Sequence, residues 1–217
     1  MSSAHIHKKA IIDVCQRLHA RNLLAAADGN VSVRISDQEI LITPTGKNKA
    51  RIEESDIAVI TLDNKIISGS PSGERLMHLE TYKKCPLAKA VVHAHPPTAI
   101  AWSVACPELK ELPSDCLSEV ILALGKVPIA PYAEPGTVEM GSVLHPLLPS
   151  HRVMILARHG ALSWGEDLDE AYNGMERLEH ISQILKSAHE LGGLTPLPAE
   201  QVKRLYEIRK KLGDRSL

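Results

Sequence analysis

The sequence feature that most constrains the fold is the stretch VVHAHPP at residues 91–97. Two β-branched residues lead into two histidines one residue apart, and residues i and i+2 of a strand point to the same face. The two prolines then end the strand. The stretch predicts a strand at 90–95 whose final imidazoles face one point, as half of a zinc site would require. The alternative is two partly buried histidines, each satisfied by an ordinary hydrogen bond.

The composition is that of one domain spanning residues 1–217, because 44% hydrophobic content is enough for a sizeable core. With 25 basic and 26 acidic residues, the net charge is close to zero, so electrostatics gives no reason to expect nucleic acid or an anionic membrane as a partner. The four cysteines are scattered, the N-terminus lacks an apolar signal core, and no apolar run approaches the ~20 residues of a membrane span. We therefore expect a reduced, cytoplasmic protein.

Hydrophobic periodicity predicts an α/β chain with one central, largely antiparallel sheet and helices on its faces. The pattern along residues 153–157 is wholly apolar, which is typical of a strand buried on both faces. The other predicted strands are 31–35, 39–43, 57–62, 65–67, 127–130 and 161–164, and the predicted helices are 6–24, 74–82, 98–104, 115–124, 137–147, 167–191 and 199–212.

His159 is the candidate for a third metal ligand, because it follows the buried strand at 153–157 and precedes a glycine that allows close backbone approach. Two buried strands ending at histidines can assemble an open, three-ligand zinc site. Alone, His159 is better explained as a loop hydrogen-bonding residue. The other histidines are weaker candidates, with solvent or interface roles expected on helix faces: His5, His7, His19, His78, His180 and His189, and, beside a polar loop, His145 and His151.

Glu74 is the candidate acid or base, since it lies at a predicted helix start, where the helix dipole favours a carboxylate. Such a carboxylate can ligate a resting metal or move a proton once substrate binds. Its alternative is a purely local role at the helix start. Three small polar turns, Gly29-Asn30, Thr45-Gly46 and Ser72-Gly73, can hold a phosphate if they meet in space, and singly each is only a turn.

These residues fall within motifs that resemble the class II aldolase and adducin family, most closely its L-fuculose-1-phosphate aldolases. The motifs occur in the family's order and cover most of the chain up to about residue 190. They are GNVSVR at 29–34, LITPTG at 41–46, PSGE at 71–74 with His78 following, VVHAH at 91–95, APYA at 130–133 with GT at 136–137, and RHG at 158–160.

The resemblance implies a central, mainly antiparallel sheet flanked by helices, and a C4-symmetric homotetramer with active sites between subunits. It implies one zinc per chain, held by His93, His95 and His159, with Glu74 as a resting ligand that shuttles the substrate proton. It further implies cleavage of a ketose 1-phosphate to dihydroxyacetone phosphate and an aldehyde, through a metal-stabilised enediolate.

The remaining roles also come from the resemblance. The substrate phosphate would lie among residues matching Asn30, Thr45, Gly46, Ser72 and Gly73, and a tyrosine matching Tyr132 would reach in from the adjacent subunit to protonate or orient the aldehyde oxygen. The family aldolases commonly carry a second serine where this chain has Gly73, so one phosphate-binding hydroxyl is missing. Tyr206 is the candidate for a further C-terminal tyrosine that some of these aldolases use.

Rival activities use the same site: ribulose-5-phosphate 4-epimerase, methylthioribulose-1-phosphate dehydratase and tetronate-phosphate decarboxylase. The setting of Tyr132 in APYA favours an aldolase. A hypothesis of another class is an adducin-like, non-catalytic interaction domain. It predicts the loss of metal ligands, whereas the three histidines and Glu74 are all present.

Overall fold

One mixed sheet forms the centre of the protein in a computed structural model, which describes residues 3–213. The strand order is β4-β3-β2-β1-β5-β8-β7-β6, and every neighbouring pair is antiparallel except β6 and β7. The strands are β1 (Asn30–Arg34), β2 (Glu39–Ile42), β3 (Ala58–Thr61), β4 (Ile66–Ser68), β5 (Ala90–Ala94), β6 (Ile129–Ala130), β7 (Val153–Leu156) and β8 (Gly160–Gly165). The predicted architecture of a largely antiparallel sheet is confirmed.

Helices cover both faces of this sheet and complete a three-layer arrangement. One core lies between the sheet and α1, α3, α4 and α6, whereas a second core lies between the sheet and α2 and α5. Helix α7 packs on α4. The helices are α1 (Ser3–Ala20), α2 (Arg75–Lys84), α3 (Pro97–Ala105), α4 (Ser118–Ala123), α5 (Glu139–Ser142), α6 (Leu168–Glu190) and α7 (Ala199–Lys211). None of the helices within residues 3–213 has the length and apolar character needed to cross a membrane.

The alternation of side chains in β1 and β5 determines what faces the second core. Val31 and Val33 of β1 pack into the first core, so Asn30 and Ser32 point to the opposite face, towards α2. In β5, Val92 packs into the first core and Val91 into the second, which sends His93 to the side of α2 as well. Because Asn30 is paired with His93 across β1 and β5, the polar ends of both strands lie together.

Three predicted helices differ from those observed. The first ends at Ala20 rather than near residue 24, because Asn22 has a φ of 59° and leaves the helix. The helix predicted at 115–124 begins only at Ser118, since Leu117 is extended between it and a short 3-10 turn. The helix predicted at 137–147 is reduced to the single turn of α5, after which residues 143–150 continue as turns. Pro146 lies within the predicted range, and its missing N–H and fixed φ do not suit a helix interior.

Candidate metal centre

Three imidazoles converge at one end of the sheet. His93 is the fourth residue of β5, His95 follows that strand, and His159 lies in the turn between β7 and β8. One ligand nitrogen from each lies within 4.8 Å of the others, and the ring centroids are 4.9–5.2 Å apart. The structure therefore brings together the three histidines that the sequence proposed as ligands.

The backbone around these rings allows their close approach. Gly160 lies against two of the rings, because a Cβ there would come within 2.8 Å of the His93 ring and 2.9 Å of the His95 ring. That Cβ would also lie 2.7 Å from the Ala94 carbonyl oxygen, so any larger residue at position 160 would push the histidine rings out of place. On the other side of the turn, the hydroxyl of Ser103 accepts the backbone N–H of Arg158 at 2.9 Å and anchors the approach to His159.

A hydrogen bond outside the centre orients the His93 ring, and a carboxylate lies near the His95 ring. His93 Nδ1 donates to the carbonyl oxygen of Ala161 at 2.9 Å, which leaves its Nε2 as the free ligand atom. His95 Nδ1 lies 3.7 Å from an Asp28 carboxylate oxygen, while its Nε2 lies 3.2 Å from that of His93. Burial, with the charges of His93 and His159, lowers the pKa of His95 to about 3. The ring is therefore neutral at pH 7, as a metal ligand must be.

Glu74 occupies the remaining side of the cluster. It immediately precedes α2, and its two oxygens lie 3.1 Å from His159 Nε2 and 3.3 Å from His93 Nε2. Although burial raises the pKa of this carboxyl group, the imidazoles of His159 and His93 lower it more, so its pKa lies well below the ordinary value. Three imidazole nitrogens and one carboxylate are a donor set that suits a divalent metal such as zinc, and the residues present fit the group.

The three polar turns proposed to hold an anion lie side by side. Thr45 donates its backbone N–H to the Ser70 carbonyl at 3.0 Å, and Ser72 donates its own to the Thr43 carbonyl at 3.1 Å. From the first turn, the Asn30 amide donates to Glu74 at 2.9 Å. Ser72 is buried, whereas Thr45, Gly46 and Gly73 are exposed. We call the group formed by Asn30, Thr45, Gly46, Ser72 and Gly73 the cradle.

Lys49 lies next to the cradle, and no pattern in the sequence predicted its burial there. Its side chain is buried, and its ammonium donates to the carbonyl oxygens of Ala27 at 2.7 Å and Lys47 at 2.8 Å. These bonds join the turn before Asn30 to the turn after Gly46. Burial lowers the pKa of Lys49, against the attraction of Cys15, Asp28 and Glu74. The polar run GKNKAR at 46–51 resembles a solvated loop, so that no sequence signal marked this lysine as buried.

The two candidate tyrosines lie away from the histidine cluster. Tyr132 is 60% exposed after β6, and within residues 3–213 no hydrogen bond joins it to the histidines of its own chain. Tyr206 lines a cavity of about 510 Å³ with Trp164 and Arg209, near the start of β5 rather than its histidine end.

His78, expected on a solvent or interface face, is instead fully buried, because α2 packs this side chain against β1.

Comparison with known proteins gives the family context of this geometry. The sequence profile described as "Class II Aldolase and Adducin N-terminal domain" matches residues 9–185. An L-fuculose phosphate aldolase of Methanococcus vannielii is 36% identical over 176 residues, covering 81% of this chain and 93% of that protein. A 3-oxo-tetronate 4-phosphate decarboxylase of Escherichia coli O6:H1 is 34% identical over 171 residues, covering 76% and 79%. A solved L-fuculose 1-phosphate aldolase superposes with a TM-score of 0.85 at 30% identity, covering 97% and 98%.

Proposed function

Since the chain belongs to the class II aldolase and adducin family, we propose that it is a zinc-dependent sugar-phosphate aldolase. It would cleave a ketose 1-phosphate reversibly to dihydroxyacetone phosphate and an aldehyde. The observation that carries the proposal is the cluster of His93, His95 and His159 with Glu74 against it, directly beside the cradle. A proton-transfer group and a set of anion-binding turns at one metal centre are the parts that this reaction needs.

The three histidines would hold one zinc per chain, which supplies Lewis acidity towards the substrate's oxygens when bound. In the condensation direction, the cradle binds the phosphate of dihydroxyacetone phosphate through the backbone N–H groups of Gly46 and Gly73. The hydroxyls of Ser72 and Thr45 and the second amide N–H of Asn30 complete the set of donors. Glu74, held as a carboxylate, takes a proton from C3 of the substrate. The carbon then forms its bond to the aldehyde carbon.

Tyr132 completes the site from a neighbouring subunit of the proposed homotetramer. Its exposure in the single chain and its position beyond β6 support this placement, because no residue within 3–213 of its own chain hydrogen-bonds the hydroxyl. When the new carbon–carbon bond forms, the aldehyde oxygen gains negative charge, and the Tyr132 hydroxyl donates a proton to it.

A decarboxylase is the second candidate, supported by the 34% identical relative with that name. Loss of carbon dioxide from a 3-oxo-tetronate 4-phosphate leaves the electron pair on the carbon that becomes C3 of dihydroxyacetone phosphate. The same metal site, cradle and Glu74 therefore serve both reactions. They differ at the departing group. The hydroxyl that becomes the aldehyde oxygen must pass its proton to a group such as Tyr132 on cleavage, whereas carbon dioxide leaves from a carboxylate that carries no proton.

A direct comparison of substrates tests the proposal. Zinc-loaded protein is incubated with dihydroxyacetone phosphate and a panel of aldehydes, and separately with 3-oxo-tetronate 4-phosphate, ribulose 5-phosphate and methylthioribulose 1-phosphate. We expect a ketose 1-phosphate from the first mixture. If carbon dioxide is released from the tetronate, or one of the pentose phosphates is converted, while no aldehyde is condensed, the aldolase assignment is wrong.

A further inference from the structure

A buried chain of hydrogen bonds connects the interior of the second core to Glu74. Its members are Asn30 and Ser32 of β1 with His78 and Tyr82 of α2, and none of the four is more than 1% exposed. Ser32 and Asn30 are two residues apart on a strand, and His78 and Tyr82 are four apart on a helix, so each pair presents one face to the other. Glu74 is four residues before His78 and lies at the open end of this row.

The hydrogen bonds that link these four residues are short. His78 Nε2 contacts the Asn30 side-chain oxygen, and His78 Nδ1 lies 2.7 Å from the Ser32 hydroxyl. That hydroxyl lies 2.8 Å from the hydroxyl of Tyr82. At the other end, the Asn30 side-chain nitrogen donates to Glu74 at 2.9 Å. Both polar side-chain atoms of Asn30 thus have a partner, and the second N–H of the amide nitrogen is left for the cradle.

The directions of these bonds follow from what each group can donate. Burial and the charge of His93 lower the pKa of His78 to about 3, against the attraction of Glu74, so the ring is neutral at pH 7 and carries one N–H. That N–H must be on Nε2, because its partner is an amide oxygen. Nδ1 therefore accepts from Ser32, and Ser32 in turn accepts from Tyr82.

We propose that His78 is a positioning residue which, supported by Ser32 and Tyr82, fixes the orientation of the Asn30 amide and thereby holds the Glu74 carboxylate in place. If the amide turned over, its carbonyl oxygen would face the carboxylate, and both the repulsion and the unpaired His78 N–H would oppose that state. The effect of His78 on catalysis rests on the proposed function, because the proposed function is what assigns proton transfer to Glu74.

Variants at position 78 separate positioning from packing. His78→Phe keeps an aromatic ring but has neither nitrogen, whereas His78→Gln offers one N–H and one oxygen to the same partners. We expect His78→Phe to lower kcat about 10- to 100-fold with KM changed less than threefold, and His78→Gln to recover most of kcat. Leu79→Val, a buried change on the same helix outside the network, is the matched control and should retain kcat.

A double-mutant cycle shows whether His78 acts through Asn30. We expect His78→Phe to lower kcat much less in an Asn30→Ala background than in the wild-type chain. Equal losses in both backgrounds would overturn the proposal, as would a His78→Gln variant no better than His78→Phe.

Crystal structures of the zinc-loaded variants give a readout that does not depend on turnover. In His78→Phe we expect the Asn30–Glu74 hydrogen bond to be lost, and in His78→Gln to be kept near 2.9 Å. Retention of that bond in His78→Phe would overturn the positioning role. Should the wild-type protein turn over none of the sugar phosphates tested, the proposed function fails, yet these structures still decide whether His78 orients Asn30. Tyr82→Phe removes only the far end of the chain of bonds and serves if His78→Phe does not fold.

Discussion

The substitution Gly73→Ser tests whether the cradle holds the substrate phosphate. An added Cβ at position 73 has no atom within 4 Å, so the space beside Ser72 accepts a serine side chain without displacement. Position 73 is exposed and adjoins both Ser72 and Glu74. The new hydroxyl therefore enters the cradle itself and meets no neighbour that it must move.

The size of the effect follows from the hydrogen bond that becomes possible. A hydrogen bond to a charged group contributes about 1.5–3 kcal/mol, and the exposure of position 73 reduces this to about 1 kcal/mol through competition with water. That value corresponds to roughly fivefold tighter binding. We expect the KM for dihydroxyacetone phosphate to fall by about this factor, with kcat little changed.

Gly73→Ala is the matched control, because it makes the same change to the backbone without a hydroxyl. Both variants gain the same stability from a less flexible unfolded chain, so the difference between their KM values reports the hydrogen bond alone. KM is measured by steady-state kinetics and compared with the inhibition constant of inorganic phosphate. Equal values for Gly73→Ser and Gly73→Ala would refute the placement of the phosphate at this turn.

Three other predictions concern the metal, the acid and the buried histidine. His159→Ala should weaken zinc binding about tenfold or more and abolish turnover while circular dichroism is unchanged; one zinc per chain in that variant, by metal analysis, would contradict the ligand assignment. Tyr132→Phe should lower condensation about 100-fold without changing Tm, since the hydroxyl is exposed in the single chain, and full activity would remove Tyr132 from the mechanism. Because the pKa of His78 falls from 6.5 to about 3 on folding, the unfolded state binds the extra proton between these values, and stability is lost as pH falls. Between pH 7 and pH 5 this removes about 2 kcal/mol of the free energy of unfolding. Urea titrations at one protein concentration should show that the free energy of unfolding of His78→Gln falls by about that much less than the wild-type value does. An equal fall in both proteins would contradict the prediction.

Local patterns in the sequence were enough to predict most of the sheet and one half of the metal centre. The alternation around Val31 and Val33 and the apolar run at 153–157 each describe a strand, because side-chain burial on a sheet repeats every two residues. The spacing of His93 and His95 likewise depends on geometry within one strand. Where several weak local signals compete, as in residues 137–147, the predicted helix was too long.

The rest of the site depends on contacts between distant segments. That β1 lies between β2 and β5, and so brings Asn30 next to His93, is a matter of strand order rather than local pattern. The burial of Lys49 and His78 also depends on which elements pack over them, and a polar residue in a loop or helix carries no local mark of that burial. The family resemblance supplied the grouping of the turns that spacing alone left open.

Hydrogen exchange at C3 of dihydroxyacetone phosphate tests the central claim most directly. Zinc-loaded protein is incubated with dihydroxyacetone phosphate in deuterium oxide without any aldehyde, and the C3 proton signal is followed by NMR, with Glu74→Gln as the matched variant. The account predicts exchange by the wild-type protein and an exchange rate at least about 100-fold lower in Glu74→Gln. Absence of exchange in fully zinc-loaded wild-type protein, or equal exchange in the variant, would contradict the assignment of proton transfer to Glu74 at this centre.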